Sequence, residues 1–197
     1  MRSFRQVAGF AMIEVMVTVV IVAFGLLGIA GLVSRSFVTE VEGTQRTQAL
    51  LLLQDMASRL EANRGNVAAY VTGDTAITGY TGTALTVCNP ASALADRDRC
   101  EWGLMLAGAN EQIGTRNAGV LVGARGCVYE IDAFNRIYAV TIAWQGMSAG
   151  PVPPVNNAPA PNGFPPNECG RNRFDDESLG QTTRRVITMP VRLATLT

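Results

Sequence analysis

Carboxylates and cysteines are the side chains of this chain with the most chemical potential, because its 197 residues include no histidine. Without histidine, the chain holds neither a Ser-His or Cys-His catalytic pair nor a histidine-ligated metal site. Asp96 with Asp98, and the acidic run 175–177, favour solvated surfaces over catalytic acid pairs. The run also lacks the spaced oxygen ligands of an EF-hand. We therefore expect no enzyme activity, no cofactor and no metal.

The cysteines favour disulfides. Their spacings differ from the paired Cys-x-x-Cys ligands of a zinc site, and an even count in an exported domain is typical of disulfide bonding. Three pairings are possible. We favour the first with the second, closing a short loop, and the third with the fourth, tying a strand to a proline-rich loop. The four residues are Cys88, Cys100, Cys127 and Cys169.

One carboxylate, Glu14, lies at the start of an apolar stretch. Val15–Val33 has no charged residue over about 19 positions, close to the roughly 20 that cross a bilayer as a helix. Arg2 and Arg5 precede it and should keep this end in the cytoplasm, so everything after Arg35 would be exported. A carboxylate at membrane depth costs about 2.5–3.5 kcal/mol and by default marks a functional position.

The residues around Glu14 form a motif, Gly9-Phe10-Ala11-Met12-Ile13-Glu14, after a basic leader. This motif resembles the N-terminal signal of type IV prepilins and pseudopilins. The resemblance implies that a membrane prepilin peptidase cleaves between Gly9 and Phe10 and methylates the new amine of Phe10. It also implies that Glu14, then the fifth residue, pairs with the terminal amine of a neighbouring subunit and sets the filament register.

Two simpler interpretations of this end stay open. The apolar stretch could be a plain single-pass anchor, which fits its length and leaves Glu14 unexplained. Alternatively, Glu14 could lie at the membrane interface with its carboxylate reaching water. A cleaved secretory signal peptide fits less well, because its apolar core is about 7–15 residues long.

The elements that position these groups predict an α+β fold, with a long N-terminal helix packed on an antiparallel sheet of about four strands. Leu53, Met56, Ala57 and Leu60 follow the helical template, so the helix should run from about residue 10 to 63 and end with Gly65 as a left-handed cap. The resemblance independently implies this pilin fold. The predicted segments are a leader (1–9), an apolar helix half (10–33), an amphipathic half (34–64) and an exported head (65–197).

The head should hold one helix and the strands. Asn89 and Pro90 favour a helix that begins between the first two cysteines. The glycine-containing segment 123–126 indicates a hairpin turn, and Pro190 favours an edge position or a bulge for the last strand. Residues 150–166, rich in proline and asparagine, should form an exposed loop. The predicted strands are 120–122, 127–131, 137–144 and 184–196.

Later features of the chain resemble the PilV family of type IV pilus modification proteins, which are minor pilins. They are the helix end 54–64, Cys100-Glu101-Trp102, Gly126-Cys127-Val128 and the late Cys169 before Arg184-Arg185. This resemblance implies a small complex of minor pilins that primes assembly at the fibre tip. The implied partners are the prepilin peptidase, other minor pilins, the major pilin and the inner-membrane assembly machinery. The implied location is the bacterial inner membrane with a periplasmic head, then the pilus fibre.

Two other functions remain alternatives. A pseudopilin of a type II secretion system shares the leader and the fold, although the head length and the disulfides favour a pilus. A tip-displayed adhesin or ligand-binding module could use the loop 150–166. Nucleic acid is not an expected partner, because the 16 basic residues are matched by 16 acidic residues and phosphate binding needs a basic surplus.

Overall fold

A computed structural model describes residues 12–81, 84–109, 112–113, 116–117, 119, 121–153, 168–174 and 181–194. The predictions that concern Gly9, Phe10 and the acidic run 175–177 therefore lie outside the described residues, as does most of the predicted loop 150–166. The chain divides into two compact units, Met1–Glu40 and Val41–Thr197. Each unit is described by itself below.

The first element, α1, is an α-helix over Met12–Ala62. In the second unit its apolar residues recur on one side, and Leu53, Met56 and Leu60 are fully buried there. This confirms the helical periodicity, with Ala57 partly buried against the same core. Burial of one face is what stabilises an amphipathic helix of this kind in a globular unit.

The end of α1 differs from the prediction. Gly65 does not adopt the left-handed conformation. Instead the chain continues into a 3-10 helix over Arg64–Tyr70, which places Val67 and Tyr70 in the core. The expected glycine cap was therefore wrong, because tertiary burial of these two side chains determines how the chain leaves the helix.

The helix of the head, α2, covers Leu94–Leu106 and begins later than predicted. Asn89 does not cap it: its side-chain oxygen accepts a hydrogen bond from the Ala91 backbone N–H at 2.9 Å and stabilises a turn before the helix. Ala93 occupies the N-cap position without a side-chain hydrogen bond. The buried face of α2 starts after this turn, and that explains the late start.

The strands confirm an α+β fold with an antiparallel sheet, although the main sheet has three strands and not four among the described residues. Its strands are β5 (Val122–Asp132), β6 (Ile137–Gln145) and β7 (Arg184–Arg192). Their order is β5-β6-β7, with β6 in the centre and both neighbours antiparallel to it. The two shorter antiparallel pairs are β1 (Tyr80–Thr81) with β2 (Ala84–Leu85) and β3 (Gln112–Ile113) with β4 (Arg116–Asn117).

The predicted hairpin turn at 123–126 was wrong, because β5 passes through these residues as one strand. The register shifts between Val122 and Arg125 opposite β6, as in a β-bulge. Gly123 has a φ of +61° at this point, a conformation that glycine adopts without strain. The glycine that suggested a turn is therefore used for the bulge.

The sheet separates two apolar clusters. The larger contains the buried face of α1, Trp102 of α2 and the alternate β6 residues Tyr138, Val140, Ile142 and Trp144, which were predicted to share a face. The smaller, on the opposite face, contains Ala139, Ala143, Cys127, Cys169, Tyr129 and Phe174. Pro190 lies on β7, which among the described strands pairs with β6 alone and so is an edge strand, one of the two positions predicted.

Gly126 of β5 packs closely against α2. A Cβ there would overlap the ring of Trp102, whose Nε1 donates to the Leu52 carbonyl at 2.9 Å and holds the ring in place. Gly126→Ala should therefore lower the free energy of unfolding by about 1–3 kcal/mol. Urea unfolding of the full chain in a neutral detergent, followed by tryptophan fluorescence, measures the change.

Gly43→Ala in α1 is the matched control, because a Cβ at that position would meet nothing within 4 Å. This substitution should leave stability unchanged or raise it by up to about 1 kcal/mol through helix propensity. Equal stability of the Gly126 and Gly43 variants would contradict the packing described here.

Candidate functional site

Glu14, the predicted register residue, lies in the first turn of α1. It is the only ionisable side chain between Met12 and Ser34. The predicted cleavage position before it, between Gly9 and Phe10, lies outside the described residues.

The helix around Glu14 is apolar on all sides. The exposed fraction of its large hydrophobic residues from Met12 to Val33 ranges from 51% (Val17) to 83% (Met12). A helix that is apolar all round requires a membrane or other helices as its cover. Among the described residues, α1 is the one helix long and apolar enough to cross a membrane, a test of length and composition that an N-terminal signal sequence also passes.

One side of this apolar segment carries small residues. With 3.6 residues per turn, Thr18, Gly25 and Gly28 lie on the same side of α1 as Glu14. The Thr18 hydroxyl donates to the Val15 carbonyl at 2.9 Å, so it presents no unpaired donor. A Cβ at Gly25 or Gly28 would meet nothing within 4 Å in the part of the chain that the structure describes, so packing there does not require glycine at either position. Such a face allows another helix to approach closely.

The four cysteines form two disulfides, in the pairs that the sequence favoured. Cys88–Cys100 links the segment before α2 to the helix itself, with 5.6 Å between the Cα atoms. Cys127–Cys169 links β5 to the segment 168–174 on the sheet face opposite α1, with a Cα separation of 5.9 Å. No cysteine remains free for catalysis or metal binding.

Asp98 was predicted to lie on a solvated surface, and this was wrong. It is buried in an ion-pair cluster. Arg59 of α1 donates to Asp98 at 2.8 Å and to Glu101 at 2.9 Å, and its Nε donates to Asp55 at 2.9 Å. The hydroxyl of Tyr70 donates to the other oxygen of Asp98. The cluster thus joins α1, the 3-10 helix and α2.

The electrostatics of this cluster are those of a structural contact. Burial lowers the pKa of Arg59, but hydrogen bonds to Glu101, Asp55 and Asp98 outweigh it and leave the pKa above its usual range. Burial and the hydrogen bond to Asp98 raise the pKa of Tyr70 to about 12. Both groups therefore keep their neutral-pH protonation state, which suits a permanent contact and not proton transfer.

The spacing of residues in α2 carries a sequence signal for this cluster. Asp98 shares the buried face of α2 with Ala95, Trp102 and Leu106, at the three- and four-residue spacing of a helix face. A carboxylate on such a face needs a cationic partner. The identity of that partner, Arg59, could not be read from the sequence, because the two residues are 39 positions apart.

Comparison of the chain with protein-family models, with curated proteins and with solved structures gives no match. The candidate site therefore depends on its own residues: a carboxylate beside an uncharged helix segment, and a disulfide-bonded head that contains the helix's last turns in its core.

The Arg59 cluster predicts a clear mutational effect. Arg59→Met should lower the free energy of unfolding by about 2–4 kcal/mol, because it leaves the buried Asp98 without its charged partner. Arg46→Met, at an exposed position of the same helix, should change stability by less than about 0.5 kcal/mol. Urea unfolding at pH 7 compares the two variants, and similar losses in both would show that the ion pair is unimportant.

Proposed function

We propose that this chain is a minor pilin of the type IV pilus, of the PilV kind, which prepilin peptidase processes between Gly9 and Phe10. The observation that carries the proposal is Glu14, a single carboxylate placed five residues into the proposed mature chain and followed by an uncharged helix. Neither a plain anchor nor a signal peptide requires a carboxylate there, since it opposes membrane insertion.

The proposed mechanism uses Glu14 as a counter-charge. Hydrolysis of the Gly9–Phe10 peptide bond would free a cationic amine on Phe10. A carboxylate and an amine from neighbouring subunits offset one another's desolvation when they meet in an apolar environment. Their pairing would fix how far each helix is shifted along the fibre, while the apolar side chains of α1 supply contact area.

The glycines of α1 support helix-to-helix assembly. Each glycine in a helix interior costs about 1 kcal/mol relative to alanine. A Cβ at Gly25, Gly28 or Gly31 would meet nothing within 4 Å among the described residues, so their packing does not explain this cost. Glycines at these positions would allow the backbone of another helix to approach closely.

The head would provide partner choice. Two disulfides and the buried Arg59 cluster hold it rigid, and rigid surfaces bind partners with a smaller loss of entropy. In this proposal other minor pilins contact the head in a priming complex, and the major pilin is then added to the fibre. The protein would lie first in the inner membrane with a periplasmic head and then in the pilus.

Processing is the first prediction of this proposal. Co-expression with a prepilin peptidase should give an N-terminal peptide that begins at Phe10 and carries one methyl group, as measured by mass spectrometry. Gly9→Leu should remain uncleaved, because a bulky side chain replaces the small residue at the scissile bond. Met1 retained in the wild-type chain with active peptidase would refute the proposal.

Assembly is the second prediction. Glu14→Gln keeps the shape and removes the charge, so the amine of the neighbouring subunit would lose its partner in an apolar setting. Incorporation into sheared surface fibres should fall by about tenfold or more, as measured by immunoblot, while cleavage continues. Glu61→Gln, at an exposed position late in α1, should be incorporated normally. Normal incorporation of both variants would contradict the assigned role of Glu14.

A further inference from the structure

A second charged region lies on the sheet face opposite α1, beside the Cys127–Cys169 disulfide. It borders a surface cavity of about 490 Å³ whose charged lining comes from the segment after the 3-10 helix, from β5 and from 168–174. Its charged residues are Asp74, Arg125, Glu168, Arg171 and Arg173. None of them belongs to the proposed assembly site.

Both acidic residues of the cavity already have donors. Glu168 accepts two hydrogen bonds from one nitrogen of Arg171, at 3.0 and 2.9 Å. Asp74 accepts one from the hydroxyl of Tyr129 at 3.1 Å. Two guanidinium groups, those of Arg125 and Arg173, are left without an acidic side chain among the ion pairs of the described residues.

Arg125 is the clearer case of a guanidinium group without an acidic partner. Its Nε is buried and has no hydrogen-bond partner among the described residues. Its guanidinium lies 5.9 Å from the centre of the Phe174 ring. Burial and the charge of Arg173 both lower the pKa of Arg125. A buried donor without a partner is unfavourable, and an anion placed between the two arginines would also offset the repulsion between their charges.

The two arginines stand on fixed parts of the fold. Arg125 lies at the end of the β5 bulge and pairs with Ala143 of β6. Segment 168–174, which carries Arg173, is tied down by the disulfide and by Arg184, whose Nη1 donates to the Cys169 carbonyl at 3.0 Å. A site held in this way loses little entropy when it binds a ligand.

We propose that Arg125 and Arg173, with Arg171 beside them, bind an oxyanion, either a phosphate or a carboxylate group, on the head. The planar guanidinium presents paired N–H donors that match the oxygens of both groups. The site does not depend on the proposed pilus function. It would give the exported head a ligand or a partner's acidic group to recognise.

Calorimetric titration of the full chain in a neutral detergent with inorganic phosphate tests this proposal, with sodium chloride at equal ionic strength as the blank. Arg173→Gln and Arg125→Gln should each weaken phosphate binding by about fivefold or more, because each removes a charged hydrogen-bond donor. Arg192→Gln, at an exposed position of β7, is the control and should bind as the wild type does. A parallel titration with acetate shows whether a carboxylate is preferred to a phosphate.

The same experiments can overturn the proposal. Absence of binding by the wild-type chain, or equal binding by all three arginine variants, would refute it. The acidic run Asp175-Asp176-Glu177 follows this segment in the sequence and lies outside the described residues, so competition from within the chain is tested by substitution. Binding that appears only in the triple variant D175N/D176N/E177Q would assign the arginines to that run and exclude an external ligand.

Discussion

One helix has to satisfy two different environments, and this constraint determines how α1 is used. Over Val15–Val33 no side chain is charged and the large apolar residues are exposed on every side. Later, one face with Leu53, Met56 and Leu60 is buried in the head while the remaining faces carry polar groups. The first part therefore requires a membrane or other helices to cover its apolar side chains. The apolar face of the second part is covered by the head itself.

The head binds the second part of α1 with apolar and polar contacts together. Trp144 of the central strand donates from Nε1 to the side-chain oxygen of Gln45 at 3.2 Å, deep in the core. Arg185 of β7 reaches Glu42 at 3.2 Å, and with the Ser148 hydroxyl it holds the pKa of Glu42 below its usual range although burial alone would raise it. The second disulfide and the two arginines of the cavity lie on the opposite face of the sheet.

Periodic features were predictable because they follow from local geometry. The helical spacing around Leu53 and the alternation along β6 each reflect the repeat of one element. Glycine and asparagine signals were less reliable, because one residue type serves several structures. Gly123 is used in a bulge and not in a hairpin turn, Asn89 stabilises a turn and not the helix, and Gly65 is not a left-handed cap.

The sequence by itself determined the α+β class, the long helix and its two-part character, the preferred cysteine pairs, and Glu14 as the one carboxylate in an uncharged region. Those conclusions need only composition and spacing within short segments. The tertiary structure alone decided that Asp98 is buried against Arg59 and that Arg125 and Arg173 share a cavity. Such contacts join residues far apart in the chain, and their charges act through spatial distance, which spacing in the sequence does not encode.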